Sequence, residues 1–437
     1  MTKKKSSLST DPYKGVRDFY PEDMYIERYL FDTMKDVVEH FGFEEYSASV
    51  LEPSELYENK TSEEIVNEQT YSFTDRGERR VTLRPEMTPT VARLVAARKR
   101  ELAFPLRWYS IPNVYRYEKP QRGRLREHYQ LNCDLFGVSS IEADIEIIFL
   151  AYELMRAFGA TENNFEIRVN HRGVIPETLS LLAEKNNLTF PTEKQADLLR
   201  LMDRKDKMSS EKYSGAMREL LGDELAEVLL DNYNPKNIRK VIAESESGNT
   251  LLDILEKLEK RGIKNVVHDP YLVRGFDYYT GMIFEVFDTS DENNRSLFGG
   301  GRYDNLQELF GGDVIPTVGF GMGDVTLKDF LETHNLIPNH ISATDLYIAP
   351  MSPSYFDYAA QLAQRVRRHD LTVAVDYSGK KIGDQIKTAD KKRIPFVLVV
   401  GEEEEKTGMY KLKQLSTKQE TVVTEGQVAD IIFQALE

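Results

Sequence analysis

Between Met24 and Phe41 apolar side chains recur at Ile26, Leu30, Met34, Val37 and Phe41, and the pattern stops at Gly42. That spacing predicts an amphipathic helix closed by a glycine cap. A strand reading follows through "EEYSASVLEP", broken by Pro53. Over 104–137 two apolar and aromatic runs flank a centre rich in Lys, Pro, Gln, Arg and Gly, which predicts a long hairpin with a charged loop. Helical periodicity returns from Glu142 to Phe158, "FEIRVNH" at 165–171 reads as a strand, and about 175–258 is charged, helix-forming and poor in glycine. Strand signals resume at Val266, pass through "LVRGFDYYTG" (272–281) and "MIFEVFD", and reach Gly299-Gly300-Gly301 and "TVGFGMGDVTL".

The last hundred residues change rhythm. "LYIAP", a helix from about Tyr355 to Arg368, "LTVAVDY", a basic helix near Lys387 and "FVLVV" alternate, which predicts a small α/β domain. The expected organisation is a tail over 1–10, an α+β core over 11–330 with a helical insertion at about 175–258, a linker over 331–343 and the α/β domain over 344–437. No fixed internal period is present.

Composition narrows the function classes. A length of 437 residues fits two or three domains, and 41% hydrophobic residues suffice for a core in each. The formal charge of -15 excludes a chain that is basic all over; local basic patches still leave room for RNA. A single cysteine, Cys133, precludes an intramolecular disulfide, and the seven histidines show no paired metal-ligand spacing. No metal site is expected. The basic start "MTKKKSSLST" lacks the apolar run of a signal peptide, and no segment approaches the roughly 20 apolar residues of a membrane span. A soluble, cytoplasmic protein is expected.

Several clusters carry chemistry. "LVRGFDYYTG" places Arg274, Asp277, Tyr278 and Tyr279 together; a buried Arg–Asp pair brings little net stability, so a site for an anionic ligand explains the arrangement better. In the hairpin, Arg116 and Glu118 alternate with Tyr115 and Tyr117, which sends the first two to one face. A guanidinium there suits phosphate and a carboxylate suits an amine, the two ends of a nucleotide. Glu86 stands just before a helix in "LRPEMTPTVARLV", placed either for the helix dipole or for a substrate ammonium. The glycines at 299–301 and 319–323 match neither a P-loop nor a dinucleotide turn and read as places where backbone approaches a neighbour or ligand. Cys133, in an apolar strand with no histidine placed as a base, reads as structural.

Taken together, "TLRPEMTPT", "VYRYEKPQRGRLREHYQLNCDLFG", "LVRGFDYYTG" and "GGGRYDNL" resemble, in order, the motifs of the histidyl-tRNA synthetase family of class II aminoacyl-tRNA synthetases. The likeness covers nearly the whole chain beyond the tail. It implies an antiparallel catalytic sheet, an inserted helical domain, a C-terminal anticodon-binding domain and a homodimer formed through motif 1. The reaction it implies joins L-histidine to ATP and then to tRNA(His), with Mg2+ accompanying ATP.

The resemblance also implies roles. Arg116 and Arg274 would lie against the α-phosphate as the catalytic pair. Glu86, Met87, Thr88, Gln130, Asp134, Tyr278 and Tyr279 would join them around histidine. Glu118, Arg124 and His128 would hold ATP, and Lys119, Gln121 and Arg122 would meet the acceptor end of tRNA. Near the C-terminus six cations, including Lys387 and Lys391, face Asp384 and Asp390 over 380–393, a patch suited to phosphate. Four positions depart from the family pattern: Thr326 stands where motif 3 carries an arginine, His128 where a phenylalanine stacks on adenine, Asp134 for a glutamate and Met87 for a glycine. Lys207-Met208-Ser209-Ser210 looks like the class I lysine signature but lacks its histidine partner, and reads as a solvated helix start. The alternative reading is a non-catalytic histidine-sensing paralogue, such as the regulatory subunit of ATP phosphoribosyltransferase.

Overall fold

The computed structural model describes residues 8–58, 69–205, 208–233, 237–273, 278–293 and 295–436. The chain divides into two compact units, Met1–Ile337 and Pro338–Glu437.

In the first unit a nine-stranded sheet forms the frame. Its main path runs Glu44–Glu45, Leu106–Ser110, Glu127–Phe136, Thr317–Gly323, Ser296–Arg302, Met282–Asp288, Phe165–His171 and Val266–His268, with Asn113–Tyr115 paired off this path to Glu127–Phe136. All neighbours are antiparallel except the two outermost pairs.

The helix Pro21–His40 starts earlier than the periodicity indicates, because Pro21 supplies a first-turn residue with no amide to satisfy. It ends as expected, with Gly42 at φ +77° donating its amide to the Glu39 carbonyl. Leu30, Met34 and Val38 of this helix share one core with the helix Ile141–Ala157 and the sheet's rear face. Among the described residues six α-helices between Val174 and Lys260 make up the insertion, and their apolar faces join that same core. At the class I look-alike, Ser209 caps the helix Ser210–Leu221 by accepting from the Lys212 amide at 3.4 Å; Lys207 lies outside the described residues. Cys133 is fully buried in the central strand, and burial pushes its thiol up.

One strand expectation needs correction. Tyr278 and Tyr279 precede the strand, which begins at Met282. Thr280 instead donates its amide to the Arg302 carbonyl at 2.8 Å, so Tyr278 and Tyr279 stand ahead of the ladder.

The second unit carries a five-stranded sheet ordered Val373–Val375, Leu346–Pro350, Phe396–Val400, Met409–Gln414 and Glu420–Thr424. The first three are parallel and the last two antiparallel. Helices Phe356–Arg367 and Glu425–Leu436 bury Leu362, Val366, Val428 and Ile432 with Ile348 and Leu398, while Ile382–Lys391 covers Tyr347, Ala349 and Val397. No helix of the described residues is long and apolar enough to cross a membrane. The fold is α+β in the first unit and α/β in the second.

Candidate active site

The strand Glu127–Phe136 alternates strictly. Leu131, Cys133 and Leu135 point into the core, which sends Gln130, Asn132 and Asp134 to the opposite face. The next strand offers almost nothing there: Gly319 lies opposite Asp134, Gly321 opposite Asn132 and Gly323 opposite Gln130. A β-carbon on Gly319 would strike the Asp134 carboxylate, and one on Gly321 would strike the Gln130 amide. The glycines therefore let polar side chains lie flat across the sheet. The result is a cavity of about 280 Å³ floored by backbone and walled by polar groups.

At one end sit three phenols. The Tyr278 and Tyr279 rings lie 4.8 Å apart, and Tyr303 packs against both at 5.7 and 6.4 Å. Tyr278 donates its hydroxyl to Glu86 at 3.3 Å, and Tyr303 donates to Asp134. Glu86 and Asp134 are each only 3% exposed. Burial pushes the Asp134 carboxyl up to about 7, against the opposing pull of the Tyr303 hydrogen bond. Thr88 opens the helix Thr88–Arg98 and lines the cavity. The Met87 side chain is fully buried and is not part of the cavity wall.

Toward the other end, Arg116 donates its Nε to the Pro85 carbonyl at 2.9 Å, which sets the plane of the guanidinium beside Glu86. The strand stops at Tyr115, yet Arg116 and Glu118 both face the cavity, as their alternation indicates. Arg124 donates to Glu118 at 3.3 Å. His128 lines the same end and is neutral, its pKa lowered to about 3 first by burial and then by the charges of Arg116 and Arg17. The Thr326 hydroxyl, at the place of the missing arginine, donates to the Leu297 carbonyl at 2.7 Å. Lys119, Gln121 and Arg122 are exposed and stand outside the cavity wall. Lys387 and Lys391 belong to the second unit, exposed on the helix Ile382–Lys391. Arg274 lies outside the described residues.

Sequence reasoning missed Asn132, Glu285, Ser296 and Tyr303, all on the cavity wall. A signal for Glu285 existed, a carboxylate flanked on both sides by apolar residues in "MIFEVFD". For Asn132 it was the pairing of Q-x-N-x-D with G-x-G-x-G, visible only once the two strands are known to be neighbours.

Comparison with known proteins shows the family of the chain. Residues 15–325 match the family model described as histidyl-tRNA synthetase, and residues 345–434 match the anticodon binding domain. A histidine–tRNA ligase of Leptospira biflexa is 42% identical over 95% of this chain and 95% of its own length. One of Thermoplasma volcanium is 36% identical over 97% and 99%. The fold is shared with the crystal structure of histidyl-tRNA synthetase from Nostoc sp. PCC 7120, at a TM-score of 0.81 and 22% identity over 98% of this chain and all of that one. By its domain models and its relatives over nearly the full length, this chain belongs to the histidyl-tRNA synthetase family.

Proposed function

We propose that the chain is an aminoacyl-tRNA ligase that activates L-histidine with ATP and transfers it to tRNA(His). The observation that carries this is the convergence in one cavity of Glu86, Gln130, Asp134, the tyrosines and Arg116, in a member of this family. In the first step a histidine carboxylate oxygen attacks the α-phosphorus and pyrophosphate leaves. In the second a ribose hydroxyl of the terminal adenosine attacks the acyl carbon and AMP leaves.

Each role follows from chemistry. Glu86 and Gln130, with Thr88 beside them, accept and orient the ammonium, while Asp134, Tyr278 and Tyr279 address the imidazole, whose two nitrogens need one donor and one acceptor. Arg116 and, by its motif alone, Arg274 stabilise charge growing on the α-phosphate. Glu118 accepts from the adenine amine, His128 stacks as a neutral ring, and Arg124 reaches the outer phosphates. Mg2+ accompanying ATP would be held by Glu285 and Ser296, whose oxygens are of the hard type it takes, together with substrate phosphates whose charge it would neutralise.

Lys119 and Gln121 of the hairpin, with Lys387 and Lys391 of the second unit, are the proposed tRNA contacts. The anticodon-binding match over 345–434 supports a ligase over a histidine sensor. A homodimer in the cytoplasm completes the proposal. Charging of unfractionated tRNA by the purified protein tests it: a labelled histidyl ester is expected, and an ester formed equally well with other amino acids would contradict it.

Asp134 makes a pH prediction. Its carboxyl is neutral below about pH 7 and an acceptor for an imidazole N–H above it. The kcat/KM for histidine should therefore rise as pH passes through about 7. Asp134→Asn should flatten that rise, leaving histidine's own titration, and lower the plateau roughly ten- to hundredfold, the loss expected for a hydrogen bond to a charged group. An Asn variant with the parent's pH profile would remove Asp134 from histidine recognition.

A further inference from the structure

The tip of the charged hairpin does not wave in solvent. Arg122 donates its Nε to both carboxylate oxygens of Asp329, at 2.7 and 3.0 Å. Its two Nη groups reach the Glu292 carbonyl and the Thr333 hydroxyl, each at 3.3 Å. Arg295 donates to Gln121 at 3.3 Å from the other side. Thr326, Asp329 and Thr333 form one ridge of the helix Asp324–Thr333, at helical spacing. The loop lies along that ridge.

Position 326 explains why it can. Gly123, at φ +74°, lies beside Thr326: a β-carbon there would make an ordinary van der Waals contact with the Thr326 methyl, at 3.6 Å. A long arginine at 326 would contend with the loop backbone for this space; threonine turns its hydroxyl back to the Leu297 and Gly323 carbonyls and leaves the space to the loop. Arg124 follows Gly123 directly and lines the cavity with Glu118.

We propose that Arg122 and Asp329 form a clasp that seats the loop on this helix, so that Arg124 of the loop supplies the phosphate cation that position 326 of the helix lacks. Arg122 is then a positioning residue for ATP. Its donors are turned toward Asp329, Glu292 and Thr333, so contact with tRNA would require breaking the clasp. The inference rests on the ATP site proposed above.

The test measures ATP affinity of the full-length protein by calorimetry without histidine or tRNA, and in parallel the KM values of pyrophosphate exchange and of tRNA charging. Arg122→Ala and Asp329→Ala should each weaken ATP about tenfold and leave the KM for histidine within about twofold. The double variant should be no worse than either single one, because the two act as a unit. The exchanged pair, R122D with D329R, should recover most of the loss, which a merely destabilised fold would not do. Unchanged ATP affinity in both single variants overturns the clasp, and a rise confined to the KM for tRNA makes Arg122 a tRNA contact instead. A parent protein that binds ATP but fails to exchange pyrophosphate would count against the proposed reaction and leave the clasp standing on its binding data.

Discussion

Arg116→Ala should lower the turnover of histidine-dependent pyrophosphate exchange by about 10²–10³-fold, roughly 2.7–4 kcal/mol of transition-state stabilisation. Charge builds on the α-phosphate as the carboxylate attacks, and a fixed guanidinium meets it without reorganising. The fixing is visible: the Nε bond to the Pro85 carbonyl at 2.9 Å holds the plane, and Pro85 adjoins Glu86. Arg116→Lys should restore little, since a lysine has neither the fork nor the tether. Histidine binding, measured directly, should change far less than turnover. A loss of binding that matched the loss of rate would reassign Arg116 to ground-state recognition.

Asp144→Ala should cost about 3–5 kcal/mol of stability, the penalty for breaking a buried ion pair and leaving the Arg302 charge to the more exposed Asp304 at 3.3 Å. Arg302 is 7% exposed and donates to both Asp144 oxygens, at 3.0 and 3.2 Å from Nε and 2.6 Å from Nη2. Carbonyls of Val138 and Ser140 take further donors at 3.0 and 3.2 Å. The consequence reaches the cavity, because the Arg302 backbone holds Thr280 and follows directly into Tyr303. Denaturant unfolding should show the loss, with exchange activity reduced at temperatures where the parent is stable. Adding Arg302→Met should recover part of the stability; a double variant weaker than Asp144→Ala would contradict the buried-charge argument.

The helices were legible because their apolar spacing is long: Gly42 marks the end of the first one, and the stretch after Ile175 is charged, helix-forming and poor in glycine. Cys133 was legible as structural because an apolar strand without a base offers a thiol no chemistry. The polar cavity floor was legible only in halves. Gln130, Asn132 and Asp134 alternate in one segment and Gly319, Gly321 and Gly323 in another, but some 190 residues separate them, and pairing across that distance is a tertiary fact. Tyr303 stayed hidden behind an uninformative glycine run for the same reason.

Met87 differs from its neighbours: Glu86 and Thr88 face the cavity, whereas at the start of a helix successive side chains diverge and this one is fully buried. The contact between Arg122 and Asp329 was not legible either, because 207 positions separate the two residues.

Exchange of labelled pyrophosphate into ATP by the purified protein, with no tRNA present and with each amino acid in turn, decides whether this cavity adenylates histidine. Exchange is expected with histidine alone, since buried Glu86, Asp134 and the phenols would be left unpaired by other side chains. Histidine binding without any exchange would contradict it.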